Sequence, residues 1–281
     1  MILLARFFKL LFRFEFFKKR YFGIHKRIFR PFGIFKNTVI IADYDKTLKI
    51  KLSLRDWIQQ QIYFFDFYDE RGIRFIQSQL KYGDTFIDIG ANIGAYSLIA
   101  AKLVGEKGQV IAFEPINQVR NRLIENVALN KFKQIVLEPL AVFDENTKLT
   151  LHISSQDNFG MSSMHAHDEV SGLTQIVQTV RIDEYVKNHF MNKIDMIKID
   201  IEGAELFALK GMMSTLMRLK PLVLIEICSD VLDGTNLRTD EIYTFFQQLN
   251  YSPFCINEDG RLVNCANLGK SDYRNFLFKP N

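Results

Sequence analysis

The feature that most restricts the fold is a repeated alternation of strand-like and helix-like segments. Apolar run 85–89 ends in the turn Asp88-Ile89-Gly90-Ala91-Asn92-Ile93-Gly94, which opens an amphipathic stretch over 95–103. The same order continues through strand 109–113, helix 118–130 and strand 135–137. It resumes with strand 196–199, helix 204–219, strand 222–227, helix 239–249, strand 251–256 and a final strand over 275–279. Such alternation requires an α/β fold in which a mostly parallel, seven-stranded sheet is covered by helices on both faces. Ligands of open sheets of this kind bind beyond the carboxyl ends of the strands.

Three stretches stand outside the alternation. Residues 37–80 combine two strand-like runs, an aromatic stretch and a helix over 70–80, and read as a cap ahead of the core domain 81–281. Residues 144–180 form an insertion with strand-like ends at 149–153 and 175–180, and an insertion beside the sheet is a natural acceptor-binding loop. Residues 1–36 hold ten of the 36 basic residues and one of the 32 acidic ones, so they carry +9 while the remainder carries −5. Ten of the 26 phenylalanines are interleaved with those bases. Arg6 interrupts the opening apolar run too early for a spanning helix or a signal-peptide core. A helix here gathers Arg6, Lys9, Arg13 and Arg20 on one arc opposite Leu and Phe, the pattern of an interfacial segment on an anionic membrane surface. Packing of the Phe face on the domain or on another subunit is the alternative.

Composition that is 48% hydrophobic and 24% charged excludes disorder and collagen-like structure. The cysteines are Cys228, Cys255 and Cys265, with no CxxC pair. An odd, unpaired set of this kind predicts neither a disulfide framework nor a zinc site, and points to the cytoplasm, peripheral to a membrane face if residues 1–36 bind one.

Two elements define an expected cofactor site. The glycine turn lets a ligand approach the backbone, and its spacing differs from the GxGxxG of dinucleotide folds. Asp88 at this turn opposes phosphate and welcomes a cation, so a ligand with an ammonium and a sulfonium suits it better than NAD. Glu114, in Phe113-Glu114-Pro115, stands at the end of the next strand, where a carboxylate accepts both hydroxyls of a ribose. A third element, Lys198-Ile-Asp200-Ile-Glu202-Gly203, places Lys198, Asp200 and Glu202 at a strand's carboxyl end, where charges in an apolar run are costly unless paired or used.

These residues together resemble a class I S-adenosylmethionine-dependent methyltransferase of the FkbM type. DIGANIGAYS is similar to the first motif, FEP to the ribose-binding turn and KIDIEGAELFALKG to the family's most distinctive signature, followed by PLVLIEI. Gly160–His165, GMSSMH, resembles a family segment with a small-residue pair. The resemblance covers about 83–227 and leaves residues 1–36 outside. It implies a Rossmann-like sheet with an antiparallel last strand and S-adenosylmethionine as cofactor. It also implies contacts from Asp88, Gly90, Asn92 and Gly94 to the methionine part, from Glu114 to the ribose, and from Asn130, Ala141 and Val142 near the adenine. The implied reaction is O-methylation of a sugar, a glycan, a lipid-linked saccharide or a small secondary metabolite.

Methyl transfer to a hydroxyl calls for a base within hydrogen-bond reach. Asp200 and Glu202 are the expected catalytic carboxylates, with Lys198 beside them and Glu226 in reserve on the acceptor side. Ser162, Ser163 and His165 are the acceptor-side residues expected from the insertion. His165 and His167 lack a third ligand at recognisable spacing, so no metal is expected. Nucleic-acid methylation is disfavoured because the turn after strand 196–199 lacks the Asn/Asp-Pro-Pro-aromatic sequence and the main domain is acidic, so no nucleic-acid partner is expected. A non-catalytic binding module is disfavoured by intact motifs on both the cofactor and the acceptor side.

Overall fold

The computed structural model describes residues 1–154, 170–201, 203–227, 239–257, 261–265 and 275–281. Three short helices, α1 (Ile2–Leu11), α2 (Glu15–Lys18) and α3 (Tyr21–Ile24), and a π-helical turn His25–Phe29 come first. The hairpin β1 (Val39–Tyr44) and β2 (Leu48–Ser53) follows, then α4 (Trp57–Phe65) and α5 (Glu70–Gln79). Asp56 and Asp69 start these two helices by accepting from Gln59 N and Gly72 N. The core then runs β3 (Thr85–Ile89), α6 (Ala95–Val104), β4 (Gln109–Phe113), α7 (Asn117–Asn130) and β5 (Ile135–Glu138). Next come β6 (Leu140–Val142), β7 (Lys148–Ser154), β8 (Val170–Val180), α8 (Ile182–Asn188) and β9 (Met196–Ile199). The chain closes with α9 (Glu205–Gly211), α10 (Met213–Leu219), β10 (Leu222–Glu226), α11 (Thr239–Gln248), β11 (Tyr251–Ile256), β12 (Leu262–Asn264) and β13 (Asn275–Pro280).

The main sheet has the order β12-β11-β13-β10-β9-β3-β4-β5. β13 inserts antiparallel between β10 and β11, while β10, β9, β3, β4 and β5 run parallel. The seven expected strands are all present, the antiparallel last one among them. β12 adds an eighth by pairing back onto β11, too short a run to stand out as a strand in the sequence. Side chains alternate strictly across the sheet. Ile87, Ile89, Ile111, Phe113, Ile197 and Ile199 join the face covered by α8 to α11. Phe86, Val110, Ala112 and Met196 join the opposite face, with α6, the hairpin and the cap helices. Burial on both faces explains why these strands read as continuous apolar runs.

The insertion forms a second sheet, β6-β8-β7, in which β7 and β8 pair antiparallel with Leu149 opposite Val177. Gln175 fixes this sheet to the turn after β4, donating to Pro115 O and accepting from Asn117 N. The single helix expected over 204–219 is broken at Met212. Gly211 meets the end of β6 there, and a Cβ on it would lie 2.0 Å from Phe143 O, so the chain bends where that strand presses on it.

The expectation of unpaired cysteines is corrected. Cys255 and Cys265 form a disulfide, with Cα atoms 5.5 Å apart. The β11–β12 hairpin, which sequence spacing does not reveal, brings the two together by setting Cys255 opposite Val263.

Residues 1–36 pack on α4. Phe12 meets Phe64 edge to face at 5.1 Å, and Tyr21 stacks on Trp57 at 5.0 Å while donating to Gln60 Oε1. Phe12, Tyr21, Phe29 and Phe35 are buried, and Lys9 pairs with Asp66. Among the described residues no helix is long and apolar enough to cross a membrane.

Candidate cofactor and acceptor site

At the carboxyl ends of β3, β4 and β9 the strands enclose a cavity of about 130 Å³. Its floor is the turn Gly90–Ile93. Gly90 and Ala91 both donate to Phe113 O, which binds the turn to β4. Gly90 has φ +80°, and a Cβ there would stand 1.9 Å from Asp200 O, so no other residue fits between the two strand ends. Asn92 takes φ +51°, a conformation asparagine tolerates better than most residues.

Glu114 faces this floor. Its Oε2 accepts from Asn92 N and its Oε1 from Ile116 N, each at 2.9 Å. Burial pushes its carboxyl up to about 7, against those two backbone donors and Arg120, which favour the charged form. Ile116, Val119, Leu140, Ala141, Val142 and Phe143 supply an apolar wall, extended by Leu149 and Leu151 of β7. A carboxylate above a glycine turn, beside an apolar slot, matches a nucleoside with free ribose hydroxyls and an aromatic base.

On the same face of the sheet lies a charged group. Asp88 and Lys198 are register neighbours on β3 and β9, and Lys198 Nζ is 3.9 Å from Asp88 Oδ1 and 3.0 Å from Asp200 Oδ2. Burial pulls the Lys198 ammonium down, but Asp200, Asp88 and Glu226 outweigh it and its pKa rises. Burial pushes the Asp88 carboxyl up, opposed by Lys198 and by the Ser97 hydroxyl that donates to it. Lys198 also lies over the Tyr96 ring at 4.9 Å. The Tyr96 hydroxyl donates to Asp69, and Asn275 Nδ2 donates to the same carboxylate oxygen at 2.9 Å. Asp69, Tyr68, Tyr96 and Asn275, with Glu226, complete the polar side of the cavity.

Gly90, Asn92, Glu114, Ala141, Val142, Lys198, Asp200 and Glu226 thus share one cavity. Three residues expected at the cofactor lie elsewhere. Asp88 is fully buried behind the turn, on Ser97 and Lys198. Gly94 forms the left-handed start of α6 without lining the cavity. Asn130 spends its amide on the backbone of Lys49, holding α7 to β2. Glu202, Ser162, Ser163 and His165 fall outside the described residues. Glu205, within the signature, is buried and accepts from Gly203 N; burial raises it to about 7 against its backbone donors, and it shapes the turn rather than the cavity.

The doubly wound sheet with its antiparallel β13, together with a glycine turn and a ribose-type carboxylate at adjacent strand ends, defines a class I methyltransferase whose cofactor is S-adenosylmethionine. The sequence profile of the methyltransferase FkbM domain matches residues 88–253, and the chain belongs to that family. Hexuronic acid methyltransferase AglP of Haloferax volcanii is 30% identical over 163 residues, which are 57% of this chain and 62% of that protein. The chain therefore spans less than two thirds of that relative. Methyltransferase 1 of Beauveria bassiana is 24% identical over 175 residues, 56% of this chain and 70% of that protein. The crystal structure of methyltransferase FkbM from Methylobacillus flagellatus superposes with a TM-score of 0.43 at 17% identity, covering 80% of this chain and 55% of that one.

With the ribose placed on Glu114, as the family resemblance implies, the raised carboxyl would make cofactor affinity depend on pH. Ribose hydroxyls would donate to the ionised form, so binding would draw the carboxyl down and release its proton. Affinity for S-adenosylhomocysteine is expected to rise as pH passes upward through about 7 and to fall below it. Glu114→Gln should flatten that profile and weaken binding roughly 10- to 100-fold, the equivalent of one hydrogen bond to a charged group. Calorimetric titration across this range reads both effects, and a flat wild-type profile would remove Glu114 from the ribose.

Proposed function

We propose that the protein is an O-methyltransferase acting on a hydroxyl of a sugar, a glycan or a lipid-linked saccharide. The observation that carries this reading is that one cavity joins the glycine turn and Glu114 to a second, polar side built from Asp69, Tyr96, Asp200, Glu226 and Asn275. Such a wall offers several acceptors and donors to a ligand rich in hydroxyls. The name of the Haloferax volcanii relative, which acts on a hexuronic acid, supports a saccharide. When bound, S-adenosylmethionine supplies a methyl group on a sulfonium that becomes neutral on transfer.

The protein's part is to position the acceptor oxygen and take its proton. Asp200 is the proposed base. Lys198 holds its Oδ2, and among the described residues no hydrogen bond reaches Oδ1. Tyr96 and Asn275, both set by Asp69, orient the acceptor. The proposed location is peripheral, with residues 1–36 against the membrane face where a lipid-linked acceptor would lie.

Release of S-adenosylhomocysteine tests this directly, with glucuronic acid, a neutral hexose oligosaccharide, a catechol and RNA offered in parallel. Turnover on a saccharide, methylated at oxygen by mass spectrometry, is the expected result. Turnover on the catechol or RNA alone would overturn the acceptor class.

A further inference from the structure

Residues 1–36 have two faces. Inward, Ala5, Phe12, Tyr21, Phe29 and Phe35 are buried against the cap. Outward, Leu3, Phe7, Phe14, Phe16, Phe22 and Phe32 are each more than half exposed. So many exposed large apolar side chains in one short segment mark an interaction surface. Exposed Arg6, Arg13, Lys18, Lys19, Lys26 and Arg27 stand among them, which narrows the partner to one that is both apolar and negatively charged.

Between this segment and the cap lies a second cavity, of about 220 Å³. His25, Arg30, Lys36, Arg55 and Gln60 contribute its polar lining, Phe29 and Ile34 its apolar part, and among the described residues no acidic side chain lines it. The side chains of Arg30 and Lys36 make no ion pair or hydrogen bond among the described residues. Gln60 spends its amide on Leu54 O and on Tyr21 and His25, so the ligand is left to the cations; Arg30 and Lys36 on one cavity suit an anion with several oxygens, and phosphate meets that description. Ile28 and Phe32, within two residues of Arg30 in the chain, are exposed apolar side chains. An anion attached to hydrocarbon therefore satisfies both halves of the site.

We propose that the cavity between residues 25–36 and the cap binds the phosphate headgroup of an anionic membrane lipid, while the exposed phenylalanines enter the lipid interface. This rests on the membrane placement proposed above and not on methyl transfer.

The test is flotation of the full chain with vesicles of phosphatidylcholine alone and of phosphatidylcholine mixed with phosphatidylglycerol. Wild type should float with the mixed vesicles and not with phosphatidylcholine. Each base contributes about 1 kcal/mol near such a surface, so Arg30→Glu with Lys36→Glu should weaken binding by about 30-fold or more. Lys131→Glu with Lys133→Glu, the same charge change on exposed positions beyond α7, should bind as wild type does. Affinity for S-adenosylhomocysteine checks that each variant is folded, and Arg30→Gln with Lys36→Gln serves if the reversal is not tolerated. A cavity variant that floats like wild type overturns the headgroup site and leaves the membrane placement standing. Wild type that ignores anionic vesicles overturns both. Inorganic phosphate that raises the melting temperature of wild type but not of the cavity variant, with no vesicle binding, reassigns the cavity to free phosphate. None of these outcomes touches the methyltransferase reading, because cofactor binding is read separately.

Discussion

Exchange of Asp200 for asparagine is expected to lower kcat by about 10²- to 10⁴-fold, the range a positioned general base contributes. The exchange keeps an oxygen for Lys198 to donate to and removes only the ability to take a proton. Affinity for S-adenosylhomocysteine should therefore change little, since Glu114 and the Gly90 turn are untouched. The measurement is turnover at saturating cofactor beside a calorimetric titration. Unchanged kcat would move the base to Glu226, the other strand-end carboxylate in the cavity. Equal loss of turnover and of cofactor affinity would instead mean that Asp200 holds the turn together.

The second large effect concerns stability. Lys198 is the cation between Asp88, which has no solvent exposure, and Asp200. Lys198→Met leaves comparable volume but strands a buried carboxylate, and breaking a buried pair in this way costs about 3–5 kcal/mol. For a chain of this size the melting temperature should fall on the order of 10 °C. The sign with pH is determined. A carboxyl whose folded pKa lies above its unfolded value destabilises the fold once pH exceeds the unfolded value, because it must ionise while buried. Removing Lys198 raises Asp88 further, so the loss should be greatest at neutral and alkaline pH and shrink toward acid pH. Adding Asp88→Asn should recover part of it. Thermal unfolding of both variants across pH reads the effect, and a pH-independent loss would point to packing instead.

The strands were legible because β3, β4, β9 and β10 are buried on both faces and leave unbroken apolar runs bounded by turn residues. The carboxylate at the end of β4 and the Lys198–Asp200 group were legible because charge is conspicuous at the end of such a run. What could not be read comes from distant pairing. Asp69 and Asn275 are 206 positions apart and meet only because β13 inserts beside β10. Tyr96 looks like one more apolar residue on α6 until Asp69 and Lys198 are placed against it. Asp88 sits in a motif expected to face a ligand, yet odd-even alternation along β3 turns its side chain to the α6 face, with Lys198. Asn130 shares its neighbourhood in sequence with the cavity wall, but its position on α7 faces the hairpin.

Helix α4 has a double duty. Ile58 and Ile62 line the principal cavity, while Trp57, Gln60 and Phe64 carry the packing of residues 1–36. The two compartments thus share a partition one helix thick, about 10 Å. A side-chain change on α4 therefore reaches the methyl-transfer cavity through Ile58 and Ile62, or the seating of residues 1–36 through Trp57, Gln60 and Phe64, according to the face on which it falls.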